Sequence, residues 1–400
     1  MGVRWLANPY LAAVRATLFS MQDCRPPKKQ SLRKLEKKMK RKGLLLAAST
    51  AFAVLAGAQA QAWDHPAHMT TAAIAFEEIE RLRPDLIDKI GLLLMKHPDS
   101  APFWVAATDE TGKGRARRMF IESARWADDA KGTGHDRPTY HTARFPIVEE
   151  DAPAKTKELI AARRGEPVGD AIKSLELHAR VLANPEANVQ ERALALSWVM
   201  HIIGDIHQPM HVADLFNSEY PTGNAAGSMS YVWDPLKDSA MPLHILWDSN
   251  SLRSTQIEDI NSNTKELMKK YPRSYFPQLK APTVKPDFKA WALEGYQVAV
   301  DFAYGSGIET VSDPDQGQDT DQLVKKMVMY ILEGVSPVKE APKVPAKHWE
   351  KLQDIAHSRI TLAGYRMADL IVAAGDQIFA DRSLAGKILD NMQRHGTPDN

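Results

Sequence analysis

The sequence predicts an all-α protein, a single large multi-helical domain over residues 63–400. Three observations lead there. Apolar residues recur at helical spacing through seven long stretches, the pattern of helices that each bury one face. Alternating runs of strand type are few. No internal repeat or flexible linker divides the chain, although its length is large for one unit.

The helical stretches follow in order. Thr70 to Leu82 (TTAAIAFEEIERL) is the first, and Lys155 to Arg164 (KTKELIAARR) and Gly169 to Ala183 come next. Glu186 to His207 (EANVQERALALSWVMHIIGDIH) is the most apolar. Pro209 is expected to stop it, because proline has no N–H to donate and its ring clashes with the preceding turn. Residues 208–243, rich in Gly, Asn, Ser and Pro, read as irregular. Phe288 to Gly307, Thr320 to Gly334 and His348 to Gly375 complete the helices. Residues 308–319 and 335–347 read as surface loops.

Ahead of the domain, MKRK (39–42) precedes GLLLAASTAFAVLAGAQAQA (43–62). A basic start, a short apolar core and a small-x-small end are the marks of a secretory signal peptide. A membrane anchor fits less well, since the run is diluted by Thr, Ser, Gly and Gln and is short against a span of about 20 apolar residues. Cleavage after Ala62 is therefore expected, with Trp63 the new terminus. Residues 1–38 carry the basic run PPKKQSLRKLEKK and the sole cysteine, Cys24. They read as an extension upstream of a true start at Met39; a basic cytoplasmic tail is the alternative. These features predict a bacterial protein of the periplasm or the medium.

The mature chain would lack cysteine, and a chain of this size can build a core without disulfides. Removing the leader's 12 basic and 2 acidic residues from the 51 and 50 of the whole leaves 39 and 48, a formal charge of −9. Such a surface does not draw polyanions from a distance. Phosphate chemistry on it would have to be served locally, most simply by bound cations.

The ligand-type residues lie in five places. In HIIGDIHQPMH, His201 and Asp205 are one helical turn apart on one face, in an apolar setting that penalises both unless they are paired or metallated. His211 follows Pro209, where the turned chain can point back. His207 faces elsewhere and reads as a hydrogen-bonded structural histidine. In PLHILWDS, His244 and Asp248 repeat the spacing. ESARWADD supplies Asp128 and Asp129, RPTYHTARFP supplies His141, and His68 stands near the expected terminus. These are good zinc donors, without cysteine or finger-type spacing. One such pair alone reads more readily as an ion pair than as a metal site. Two pairs with further His and Asp nearby strengthen the metal reading without deciding it.

These motifs resemble the S1/P1 nuclease family, which is grouped with the zinc-dependent bacterial phospholipases C. The likeness rests on Trp63 and His68 (W-x4-H), Trp126-Ala127-Asp128, Tyr140-His141, the segment His201 to His211 containing GDIHQPMH, and Leu243, His244 and Asp248. FKAWALEGYQVAV and SRITLAGYRMADL are similar to its C-terminal helices. The resemblance implies the family's helical fold and three zinc ions. Asp128, His141, His201 and Asp205 would hold the first. Asp205 would bridge to the second, completed by His68 and by the amino nitrogen and carbonyl of Trp63. His211, His244 and Asp248 would hold the third. A terminal amine with a pKa of about 7.7–8.0 loses its proton at modest cost, which explains why the motif abuts the cleavage site.

The chemistry so implied is phosphodiester hydrolysis by metal-activated hydroxide, with Asp205 bridging and Lys131 and Asp129 as further catalytic candidates. Lys131 stands where the family's nucleases usually have Arg. The Asp usual shortly after the ligand His is absent, since the run is His141-Thr142-Ala143-Arg144, and Asp129 is a candidate to replace it. The family's Gly-Gly-Asn is reduced to Thr222-Gly223-Asn224, and Asp64-His65-Pro66 replaces a Gly-containing start. Asp248 favours the nuclease side, because the phospholipases use Glu there. The leading expectation is a zinc-dependent endonuclease acting on single-stranded DNA or RNA, as a monomer with no stable protein partner. A phospholipase C or other phosphoesterase and a non-catalytic zinc-binding protein are the alternatives.

Overall fold

The computed structural model describes residues 64–234, 238–249, 252, 254–279, 286–305, 307–312, 336 and 338–378. The leader, Trp63 and the expected helix at 320–334 lie outside the described residues. What is described is predominantly helical.

Asp64 sets the start. Its carboxylate accepts a hydrogen bond from the Ala67 amide at 3.3 Å, and Pro66 occupies the first turn, where a missing N–H costs nothing. Helix α1 (His65–Leu82) therefore begins ahead of the periodic run, and this early start carries His68 onto its buried face. Helices α2 (Ile87–Leu94), α3 (Ala101–Ala106) and α4 (Gly112–Asp129) follow. None stands among the seven periodic stretches. The buried face of α4 (Met119, Phe120, Ala124, Ala127) is interleaved with Arg117, Arg118 and Arg125, which dilutes its apolar signal.

After a 3₁₀ turn at Pro138–His141 come strand β1 (Phe145–Val148), helices α5 (Ala154–Ala162) and α6 (Ala171–Ala183), and then α7 (Val189–Asp205). The Asn188 side chain caps α7 by accepting from the Gln190 amide at 2.8 Å. The helix ends two residues short of the sequence expectation. Its last turn tightens, the His207 amide bonding to the Gly204 carbonyl, and Gln208 is extended ahead of Pro209, as a residue before proline prefers. His207 and Gln208 thus lie in a turn.

The 208–243 stretch is more regular than its composition suggests. A 3₁₀ turn at Pro209–Val212 leads into β2 (Ala213–Phe216), β3 (Ser230–Asp234), β4 (Ser239–Pro242) and helix α8 (Leu243–Ser249). β2 pairs in parallel with β1, Phe145 against Ala213. β3 is the centre of a three-stranded antiparallel sheet, between β4 and the short β5 (Val311–Ser312). Strands this short have no room to show an alternating pattern. Helices α9 (Ile257–Lys270), α10 (Phe288–Val298) and α11 (Ala346–Ile378) complete the described chain. α10 stops short of the expected 307, passing into a π-helical turn at Ala299–Ala303.

The centre of the packing is α7, which touches α1, α2, α4, α6 and α11. Phe76, Phe120, Trp198, Ile203 and Met367, drawn from α1, α4, α7 and α11, share one buried cluster. Each such side chain contributes about 1.5–3 kcal/mol on burial. α11 lies along α1 at close range. A Cβ on Gly364 would sit 2.7 Å from Ile74 Cγ2 and 2.9 Å from the Thr71 carbonyl, so a side chain there would force the helix pair apart. Among the described residues, no helix is long and apolar enough to cross a membrane.

Candidate metal centre

The packing of α1, α4 and α7 brings together residues far apart in sequence. His68, Asp128 and His201 form one group whose ligand atoms all lie within 4.8 Å of one another, and His141, His201 and Asp205 form a second. They share His201, so together they make one five-residue cluster, all of it buried. His68 Nε2 lies 3.3 Å from Asp205 Oδ1. His141 Nδ1 and His201 Nε2 lie 3.3 and 3.4 Å from Asp205 Oδ2. His201 Nε2 is 3.8 Å from Asp128 Oδ1. The third group is His211, His244 and Asp248, with His244 Nε2 3.1 Å and His211 Nε2 3.7 Å from the Asp248 oxygens.

Backbone carbonyls set the tautomers. His201 Nδ1 lies 2.9 Å from the Ala124 carbonyl, His211 Nδ1 2.7 Å from that of His141, and His244 Nδ1 2.7 Å from that of Ala226. A carbonyl only accepts, so each Nδ1 carries the proton and each Nε2 presents its lone pair. This is how metal-binding histidines are oriented. The Ala226 carbonyl is placed by Asn224, which accepts from the amides of Leu215 and Gly227 and from the Tyr304 hydroxyl. The reduced Thr222-Gly223-Asn224 motif thus shapes the loop beneath His244. Gly223 has φ +96°, and a Cβ there would lie 2.9 Å from the Asp214 carboxylate.

The charges call for cations. Burial pushes His68 and His141 well below the usual imidazole range, and His201 to about 4, so all three are neutral donors. Burial and the neighbouring Asp128 push the Asp205 carboxyl well above its ordinary value. Burial also works to raise Asp128, but Lys131, His201 and His141 outweigh it and hold Asp128 below the ordinary range. Both oxygens of Asp205, Oδ2 of Asp128, both ring nitrogens of His68 and Nε2 of His141 are buried without a hydrogen bond. Each such atom costs about 1–3 kcal/mol if nothing meets it. Histidine nitrogens and carboxylate oxygens are the donors that zinc takes. The residues therefore fit the metal, and the three groups match three zinc sites.

The remaining candidates are placed as follows. Trp63 lies outside the described residues. Lys131 is nearly buried and paired with Asp128 at 2.7 Å. Asp129 is partly exposed, held by two 2.9 Å bonds from Arg125, with His65 Nε2 at 3.6 Å. Arg144, where the resemblance leads one to expect Asp, lies 3.5 Å from the buried Asp214. His207 is turned away from the cluster, bonded to the Ile203 carbonyl and to Arg366.

Two residues outside the sequence-predicted set meet the side chains of these groups. Gln208 Nε2 donates to Asp248 Oδ1 at 2.6 Å while its Oε1 accepts from the Met210 amide. It lay inside the most specific motif, and only its amide chemistry hinted at this. Trp198 sets its ring edge-on to those of His141 and His201. Its place three residues before His201 on α7 was the available signal.

A helical fold with buried His/Asp groups suited to three metal ions defines a metal-binding protein of the all-α class. The chain belongs to the S1/P1 nuclease family, whose profile matches residues 63–375. It is similar to Endonuclease 2 of Arabidopsis thaliana, with 26% identity over 219 residues covering 49% of this chain and 71% of that protein. It is also similar to Nuclease S1 of Aspergillus oryzae, with 25% identity over 260 residues covering 62% of this chain and 78% of that protein. Family and site together establish a metal-dependent nuclease or phosphoesterase.

Proposed function

We propose that the protein is a zinc-dependent endonuclease that hydrolyses single-stranded DNA or RNA, exported to the periplasm or beyond and matured to a terminus at Trp63. The observation that carries the reading is the convergence of His68, His141 and His201 on the unbonded carboxylate of Asp205, in a chain whose relatives are named as nucleases.

Zinc supplies a water whose pKa is lowered toward about 7 and positive charge for the phosphate. The chain's own residues do the rest. The Ala124, His141 and Ala226 carbonyls keep the Nε2 atoms of His201, His211 and His244 unprotonated. Lys131 keeps Asp128 ionised. Preorganised charge of this kind stabilises the transition state without reorganising during the reaction. The strand preference follows from access. The donors are buried, so a phosphate must be brought inward with its neighbouring base unstacked, which a duplex resists by about a few kcal/mol.

The test compares single-stranded DNA, RNA, duplex DNA and phosphatidylcholine at equal enzyme, with chelator and His201→Ala controls. Single strands should be cut fastest, to 5′-phosphate-ended products, and both controls should abolish cleavage. Turnover of phosphatidylcholine alone would move the protein to the phospholipase reading. No turnover of any substrate by zinc-loaded protein would overturn the nuclease assignment.

A further inference from the structure

The turn between Asp205 and His211 serves both centres. Asp205 ends α7 inside the five-residue cluster, His211 belongs to the third group, and Gln208 between them bonds Asp248. The path of residues 206–210 therefore sets how far apart the two centres lie. Here α7 passes into a tightened turn, with the Ile206 amide still bonded to the Ile202 carbonyl and the His207 and Gln208 amides bonded to the Gly204 and Asp205 carbonyls. One side of the turn is fixed by the His141 segment, whose carbonyl meets His211 Nδ1 and whose Ala143 amide bonds the His211 carbonyl at 3.0 Å.

The other side is held by two arginines of α11. Arg359 donates from Nε to the His207 carbonyl at 3.0 Å. Arg366 donates from Nη1 to His207 Nε2 at 2.8 Å. The His207 ring can accept because its Nδ1 proton goes to the Ile203 carbonyl at 2.7 Å. Glu294 of α10 ties the pair together, 3.1 Å from Arg359 Nη1 and 2.7 Å from Arg366 Nη2. Both arginines are buried, and Arg366 lies over the Trp291 ring. α10 presses close as well, since a Cβ on Gly295 would lie 3.2 Å from the Ile206 carbonyl. Burying two guanidinium groups is costly unless every charge is matched. Their charged partner is one carboxylate; Arg359 also reaches the Trp291 carbonyl at 3.5 Å, and one bond from each arginine reaches His207 in the turn.

We propose that Arg359 and Arg366, joined through Glu294, are positioning residues that fix the 206–210 turn by way of His207. They thereby set the spacing between the five-residue cluster and the His211/His244/Asp248 group, and with it the hold on every metal ion. The proposal rests on the metal reading above. It differs from any ligand's role in one respect: a ligand serves its own centre, whereas this network serves both.

The experiment follows zinc content of the full mature protein against buffered free zinc, together with the absorption spectrum of the cobalt-substituted form. Parent protein is compared with Arg366→Met, which keeps the packing on Trp291 and removes the donors. The free zinc for half-loading should rise about 10–100-fold, the usual effect of losing a partner that orients a ligand. Both centres should weaken together, and the cobalt spectrum of the remaining metal should shift. His244→Ala, by contrast, should weaken the third group alone. Arg273→Met is the structural control, since Arg273 anchors α11 through Asp369 without touching the turn. It should lower the melting temperature and leave zinc loading unchanged. Arg366→Lys restores the charge without the fork and should fall between parent and Arg366→Met; it carries the comparison if the methionine variant does not fold. Loading of Arg366→Met or Arg366→Lys at the parent's free zinc, or losses that only track those of Arg273→Met, would overturn the proposal. A parent that binds no zinc overturns the metal reading itself, a separate result.

Discussion

Lys131 Nζ lies 2.7 Å from Asp128 Oδ1, and neither side chain reaches bulk solvent appreciably. The Lys131 ammonium group is committed to Asp128, a member of the five-residue cluster. Removing one partner of a buried pair strands the other charge, at a cost of about 3–5 kcal/mol. Lys131→Met should destabilise the metal-free protein by that order at neutral pH. The sign with pH is determined. Asp128 is held below its ordinary value of 3.8, so its contribution is complete above that pH and fades as pH falls toward the depressed value. Urea unfolding of parent and variant in chelator should show a difference that is full at pH 6–7, by the same linkage roughly constant down to about 4, and shrinking below it.

Asp205 behaves in the opposite sense. Burial and Asp128 raise its pKa in the metal-free protein, so folding favours its protonated form. That stabilisation is present below pH 3.8 and is lost as pH rises through the raised value. Asp205→Asn removes the buried carboxylate. At pH 7 in chelator the variant should unfold at higher urea than the parent, by about 1–3 kcal/mol, the cost of an unmet buried polar group. In zinc the order should reverse, because the variant loses a carboxylate oxygen from the point where His68, His141 and His201 converge. A variant less stable than the parent under both conditions would show that the metal-free site relaxes by another route.

How far the site could be read beforehand follows from where its residues sit. His201 with Asp205 and His244 with Asp248 were legible because each pair lies on one helix, where four-residue spacing means proximity. His68, Asp128 and His141 were not. Their approach depends on α1, α4 and the Pro138 turn packing against α7, and only the family likeness pointed to it. Arg359 and Arg366 gave no sign, since a buried arginine and a surface arginine look alike in sequence. The strands were hidden for a related reason, because β1 and β2 are short and find each other across α5, α6 and α7. Among the described residues the periodic stretches are helical, with ends displaced wherever a cap or a tightened turn intervenes, as at Asp64 and His207.

Gln208 supports a prediction specific to the third group. Its amide donates to Asp248 Oδ1 at 2.6 Å, which orients the carboxylate toward His211 and His244. Gln208→Glu would set a second carboxylate against Asp248 where the amide hydrogen now lies. Zinc analysis after dialysis should then fall from near three to about two per chain, the usual penalty for losing a ligand's supporting bond being 10–100-fold in affinity. Retention of all three ions would show that Asp248 does not depend on Gln208.

The last prediction concerns the start of the mature chain. The Asp64 amide donates to the Asp248 carbonyl at 3.2 Å, and the Asp64 carboxylate caps α1 three residues on. Asp64 is thereby held between α1, which carries His68, and the third group. The residue joined to Asp64 is Trp63. If that residue is a free terminus, as cleavage after Ala62 makes it, its amine is a neutral donor at mildly alkaline pH because such a group titrates near about 7.7–8.0. If anything precedes it, the nitrogen becomes an amide and cannot serve. Protein recovered from the periplasm should therefore begin at Trp63 by mass spectrometry. A form with one extra alanine ahead of Trp63 should bind about one zinc fewer, since metal affinity follows the count of deprotonated donors. Its circular dichroism should match the parent's, because the α1 cap is untouched. Equal zinc content in the two forms would remove the terminus from the metal centre and leave His68 and Asp205 to hold that ion with other donors.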